Sequence, residues 1–357
     1  MTKLRWMVLF VLTFLVITPL SSASAQETGL TIYGVIDNGT PGGSVPESQP
    51  VSLFVYTDGA LSGQYDTTAD SSGMFTIVDI DLSNGDEVVA FTNYAGAVYS
   101  SVSFVYGPEI SLPSLSIAIY ESTEDSRDVT ISQLTFMLNA SDGELRVGEY
   151  YLINNAGNRT WIGSTNIDLG FKTTIAFSLP SASESLWFSG YGLDVRFFTV
   201  EGGFVDSAPV VPGVPSAEIF FSYTLPFDGS YALTKTLNLP VENVEYMIAE
   251  GSGITLEGEG ITYIDTIETD TGAALSYISA GFDANQTLTF QVVEQSATTM
   301  GSFNGLEIGI GLAVLVIAGL GIFFMMKRGK NAVLPASVGP LLLEIANLDD
   351  AFAAGEL

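Results

Sequence analysis

The chemistry open to this chain is set by its carboxylates, because the residues most often paired with them are missing: its 357 residues include no His and no Cys. Ser-His-Asp and Cys-His nucleophilic catalysis, and zinc or haem sites built on imidazole, are thereby excluded. Acid–base work by paired Asp or Glu remains, as does oxygen-ligated Ca²⁺ or Mg²⁺. Asp66 and Asp70, with Asp79 and Asp81 nearby, form the best acidic cluster. A helix-loop-helix calcium site would need acids at alternate positions before a Gly and a later Glu, which no stretch supplies. Capping of turns is the expected role of these carboxylates. Glycoside hydrolysis by two carboxyl groups rests on a spatial separation that a sequence does not carry. No catalytic, cofactor or metal residue is assigned, and the chain is expected not to be an enzyme.

Asp270-Thr271-Gly272 has the letters of a loop in which two carboxylates share a proton and activate water. The chain holds no second copy, and Ile267-Glu268-Thr269 ahead of it is more polar than a buried strand, so a hairpin turn is expected instead. Sugar stacking would have to use Trp161, Trp187 or the Tyr residues, most of which sit in strand patterns and read as core. Asn38, Asn139, Asn158 and Asn285 each open an Asn-x-Ser/Thr triplet, a frequency that a Ser- and Thr-rich chain produces by chance.

The elements that must position these groups are strands. Short β-branched and aromatic runs such as Val51-Ser52-Leu53-Phe54-Val55-Tyr56 are punctuated by Asp58-Gly59, Asp70-Ser71-Ser72-Gly73 and Asn84-Gly85-Asp86, a pattern that predicts antiparallel sandwiches. The fold class is mainly β: two consecutive antiparallel β-sandwich domains followed by one transmembrane helix. Pro and Ser thicken near residue 112, which sets a boundary between a sandwich over 26–111 and a second β-domain over 112–300. Pro209-Val210-Val211-Pro212-Gly213-Val214-Pro215 is either a surface connection in one sandwich or a split into two subdomains.

Two apolar segments bracket the β body. Lys3 and Arg5 precede an apolar run ending in Ala23-Ser24-Ala25, which predicts a signal peptide over 1–25. A transmembrane helix is expected over 306–326; its uncharged stretch from Ile308 to Met326 would span roughly 28 Å as a helix. Lys327, Arg328 and Lys330 follow, placing the C-terminus in the cytoplasm and the β body outside. Gly305, Gly309 and Ala313 form a small-residue stripe through which a homodimer could pack. In the tail over 327–357, Leu341, Ile345, Leu348 and Phe352 repeat as one short amphipathic helix, suited to a cytoplasmic partner or to the membrane surface. Residues 26–307 hold 36 acidic residues against Arg127, Arg146, Arg159, Lys172, Arg196 and Lys235. Nucleic acid is a poor partner for such a surface, and the scattered acids suit solubility in a salty medium.

Within residues 29–107, Gly34-Val35, Val51-Ser52-Leu53 and Thr67-Thr68-Ala69-Asp70-Ser71-Ser72-Gly73-Met74-Phe75 resemble the carboxypeptidase-regulatory-like, transthyretin-type sandwich domain with its Thr-x-x-Asp-x-x-Gly-x-Phe turn. Physically, Asp70 caps that turn, Gly73 takes a positive φ and Phe75 points into the core. Where that family has Tyr-x-Val, this chain reads Val88-Val89-Ala90-Phe91. The whole ectodomain, with Ile119-Tyr120-Glu121-Ser122-Thr123 and Leu225-Pro226-Phe227-Asp228-Gly229, is similar to membrane-anchored surface proteins of Chloroflexi-type bacteria. The domain resemblance implies an accessory module and the surface-protein one brings no activity with it; the expected function is a non-enzymatic binding or structural role in the envelope, with an unidentified envelope protein or glycan as partner, a carbohydrate-binding module being the alternative and a carboxylate-dependent hydrolase a third.

Overall fold

The computed structural model describes residues 29–107, 114–269 and 272–295. The segment 1–25 expected as a signal peptide, the expected span 306–326 with Gly305, Gly309 and Ala313, and the tail 327–357 lie outside the described residues. Among the described residues no helix is long and apolar enough to cross a membrane.

The fold is mainly β. Eight strands build the N-terminal part: β1 (Leu30–Asn38), β2 (Gln49–Thr57), β3 (Ala60–Ala69), β4 (Met74–Ile80), β5 (Glu87–Tyr94), β6 (Ala97–Ser100), β7 (Phe104–Val105) and β8 (Leu115–Ile119). They form a sheet ordered β4-β1-β8 and a second ordered β3-β2-β5-β6, with β7 also on β5. The two-residue alternation explains the layering. Val51, Leu53 and Val55 turn inward from β2 while Ser52, Phe54 and Tyr56 do not, and Leu115, Ile117 and Ile119 do the same from β8. These side chains share one apolar cluster with Ile32, Ile36, Phe75, Ile77 and Val88 from both sheets. Each such burial contributes about 1.5–3 kcal/mol.

The turn between β3 and β4 has the geometry its letters predict. Asp70 accepts hydrogen bonds from the Ser72 N–H (2.9 Å), the Ser72 hydroxyl (2.6 Å) and the Met74 N–H (3.0 Å). Gly73 has φ +81°, and a Cβ there would lie 2.0 Å from the Ile36 carbonyl oxygen. Phe75 is buried, with its ring on the bare face of Gly34.

Two expectations are corrected. The boundary expected at 112 falls ahead of β8, which belongs to the first sandwich through pairing with β1 and through its core side chains. Residues 108–113 of the Pro- and Ser-rich stretch lie outside the described ones. Nor are the sheets wholly antiparallel, since β8 runs parallel to β1. A connection long enough to cross from one end of the sheet to the other permits this.

The remaining strands are β9 (Ser122–Thr123), β10 (Val129–Ser141), β11 (Glu144–Asn155), β12 (Thr160–Trp161), β13 (Ser164–Thr165), β14 (Lys172–Thr173), β15 (Ala176–Ser178), β16 (Glu184–Phe188), β17 (Phe197–Val200), β18 (Gly203–Asp206), β19 (Gly213–Pro226), β20 (Ser230–Thr236), β21 (Val241–Ala249), β22 (Ile254–Glu257), β23 (Thr262–Thr269), β24 (Gly272–Phe282) and β25 (Thr287–Glu294). One layer is a seven-stranded sheet, β16-β19-β11-β10-β21-β24-β23, in which β10 and β21 run parallel. The facing layer consists of β15-β18-β17 and β20-β25-β22, joined by a bridge between Phe177 and Leu237. A single apolar cluster runs from Val129 to Val292 and includes residues on both sides of Pro209. The Pro-rich segment is thus a connection in one packed unit rather than a split.

Candidate functional site

The two sandwiches meet over a very short link, Tyr120 and Glu121, between β8 and β9. Glu121 is the hub. One carboxylate oxygen accepts from the Tyr94 hydroxyl at 2.6 Å and from the Asn38 amide at 3.1 Å. The Glu121 N–H donates to the Thr40 hydroxyl (2.9 Å), which donates onward to the Asn158 carbonyl (2.7 Å). Tyr99 donates to the Tyr120 carbonyl, so the 2.7 Å contact between its hydroxyl and Thr160 has Thr160 as donor. Thr40, Tyr99 and Thr160 are all buried. The hydrogen bond to Glu121, with burial, pushes the Tyr94 phenol up to about 12, so it remains a donor at any physiological pH. Val211, from the Pro-rich connection, packs against the first core.

Beside this junction opens a polar cleft of about 200 Å³, lined by Thr123, Asp125, Arg127, Asp128, Asn155, Asn158, Arg159 and Trp161 among others. Two loops build it: the one between β9 and β10, and the one between β11 and β12. In the first loop, the Arg127 N–H and Nε both donate to Asp125, at 3.1 and 2.6 Å. This pairing, the guanidinium hydrogen bond first, holds the Asp125 carboxyl below its usual range. In the second, Asn155 is buried, donates to the Arg159 and Val210 carbonyls at 2.9 Å each, and accepts from the Gly157 N–H. Arg159 is exposed, and among the described residues its guanidinium has no carboxylate partner.

Two guanidiniums, two carboxylates, side-chain amides and the Thr123 hydroxyl line a cleft sized for a compact polar group rather than a drug-sized ligand.

The residues weighed from the sequence disperse. Trp161 is 4 % exposed, with its indole N–H on the Glu124 carbonyl at 3.2 Å, so it belongs to the core and cannot stack a sugar face in the open. Trp187 is 48 % exposed on the edge strand β16, set edge-on to Phe220 at 6.0 Å. Asp66 takes hydrogen bonds from Ser52 and Gln64, and Asp70 caps its own turn. Among the described residues no three acidic side chains gather as a metal site would require. Gly272 pairs with Thr269 where β23 meets β24, as a hairpin demands, while Asp270 and Thr271 lie outside the described residues. Asn38 is held in the junction, and Asn158 and Asn285 are exposed. Glu121 and Thr40 went unassigned because their partners are distant in the chain. The one local sign was a short polar run breaking strand alternation after Ile119.

Compared with protein-family models and with curated proteins, the chain matches none.

Proposed function

We propose that the chain is a single-span envelope protein whose acidic β ectodomain works by binding or by structural support, without catalysis. The observation that carries this reading is the junction. Buried and part-buried hydrogen bonds that tie Thr40, Tyr94 and Tyr99 to Glu121, Tyr120 and Thr160 make the link stiff, as a rigid spacer or a display scaffold needs. The uncharged run from Ile308 to Met326, with Lys327, Arg328 and Lys330 behind it, supplies the anchor and its orientation, N-terminus outside. The amphipathic pattern of the tail suits a cytoplasmic partner or the membrane surface, and Gly305, Gly309 and Ala313 offer a stripe for a second copy.

Half-exposed Trp187 favours one further reading, an extracytoplasmic carbohydrate-binding module, because an indole on a sheet edge is a stacking platform. Protease added to intact cells, with any outer membrane opened, should degrade the ectodomain and leave the tail. A clipped tail beside a protected ectodomain would reverse the orientation and end the proposal. On a glycan array, binding lost in Trp187→Ala but retained in Trp161→Phe would select the carbohydrate reading.

A further inference from the structure

The second core contains two charged side chains where its strand alternation calls for apolar ones. Lys235 follows Leu233 and precedes Leu237 on the inward side of the β20 region, and Glu149 lies between Val147 and Tyr151 on the inward side of β11. Their side chains are 1 % and 0 % exposed, and Lys235 Nζ is 2.6 Å from Glu149 Oε2. The amine also donates to the Ser178 carbonyl at 2.8 Å. Around it stand the rings of Phe221, Tyr151 and Phe177, at 5.3, 5.8 and 6.0 Å. Tyr223 donates to Glu149 Oε1 at 2.8 Å and Tyr151 donates to Oε2.

An ion pair in such surroundings is costly to desolvate, and the neutral amine with the protonated acid is one proton transfer away along a single short contact. Burial, the largest influence, pulls the Lys235 ammonium down from its ordinary value, while Glu149 opposes it. Burial likewise drives Tyr151 and Tyr223 well up, with Glu149 adding to it, so both phenols stay protonated and keep donating. The reacting groups are fixed against each other, which replaces a bimolecular encounter by an intramolecular one.

We propose that Lys235 and Glu149 condense to an amide that ties β20 to β11 across the two layers of the second sandwich. The ammonium first passes a proton to Oε2. The free amine then attacks Cδ, forming the C–N bond. Charge developing on Oε1 is met by the Tyr223 hydroxyl, in the manner of an oxyanion hole. The second amine proton goes to the departing oxygen, beside the Tyr151 hydroxyl, and the C–Oε2 bond breaks to release water. Ammonium plus carboxylate become amide plus one water, with no oxidant or co-reactant. The amide keeps one N–H for the Ser178 carbonyl and its oxygen for Tyr223, so the polar contacts that hold the reactants also hold the product.

Peptide mapping of the full chain isolated from its own membrane tests this. After denaturation and trypsin, cleavage following Lys235 should be almost completely lost, because the modified amine is no longer a substrate. A branched product should join residues 147–159 to residues 197–327, lighter than the two by one water. Free 147–159 together with complete cleavage after Lys235, in protein that was folded, would overturn the proposal. In Glu149→Gln the amine should displace ammonia and give the same branched peptide, whereas Lys235→Arg should give only linear ones. A branch persisting in Lys235→Arg would overturn the assignment. Where either variant fails to fold, the wild-type map decides by itself.

Discussion

The two sandwiches fill their interiors differently. Between the sheets of the first stand mainly Ile, Val, Leu and Ala, and its buried acid, Asp86, sits in the turn before β5, where it accepts from the Ser83 N–H and the Thr57 hydroxyl. The second is packed with rings, Phe136, Tyr151, Phe177, Phe204, Phe221, Tyr246 and Phe290, in stacked and edge-on contacts about a central ion pair. Aliphatic side chains offer a buried charge no partner, whereas ring faces and phenol hydroxyls can house a cation and its carboxylate.

Removing the cation strikes hardest at this contrast. Lys235→Ala leaves Glu149 buried without its partner, whether that partner is held as an ion or as an amide, and should lower stability by about 3–5 kcal/mol in urea titration. A loss below about 1 kcal/mol would mean that the rings, not the pair, hold the second core. In the first core, Leu53→Ala creates a cavity and should cost about 3 kcal/mol, read in the same titration, with no dependence on a charge partner. Gly73→Ala attacks the geometry of the first sandwich rather than its packing: positive φ and the Ile36 carbonyl together should cost about 2 kcal/mol. The smallest effect is acid-dependent. Asp70 is held below its usual range, chiefly by the Ser72 hydroxyl, so its contribution is present above the unfolded carboxyl value near 4 and fades as pH falls through the folded one. Asp70→Asn should lower stability at pH 6 and lose that deficit as pH falls through the carboxyl range, so a deficit that grows on acidification would contradict this sign.

Legibility tracked distance along the chain. The Asp70–Gly73–Phe75 turn could be read in advance because donor, acceptor and positive φ fall within six residues. Inward and outward faces of β2 and β8 were equally open, since alternation is local. Pairing of β1 with β8 was hidden, because a parallel partner leaves no turn signal behind. Trp161 reads as core from its strand pattern, but no spacing tells it from Trp187, and only the layer packing separates them. Lys235 did leave a trace: a lysine in phase with Leu233, Leu237 and Leu239 breaks the apolar face of its segment. Its carboxylate partner lies in the opposite layer, beyond any pattern within one strand.

The place of β8 beside β1 governs the order of events at synthesis. Gly34 emerges early and waits for Leu115 before its sheet has its third strand, so the first sandwich must linger unfinished until Ile119 has been made. A non-local closure of this kind is slow and exposes an apolar edge meanwhile. Expression of a fragment cut at 111 would make that interval permanent, and the short connector through Tyr120 and Glu121 means that the newly completed half is immediately handed the next one to dock against.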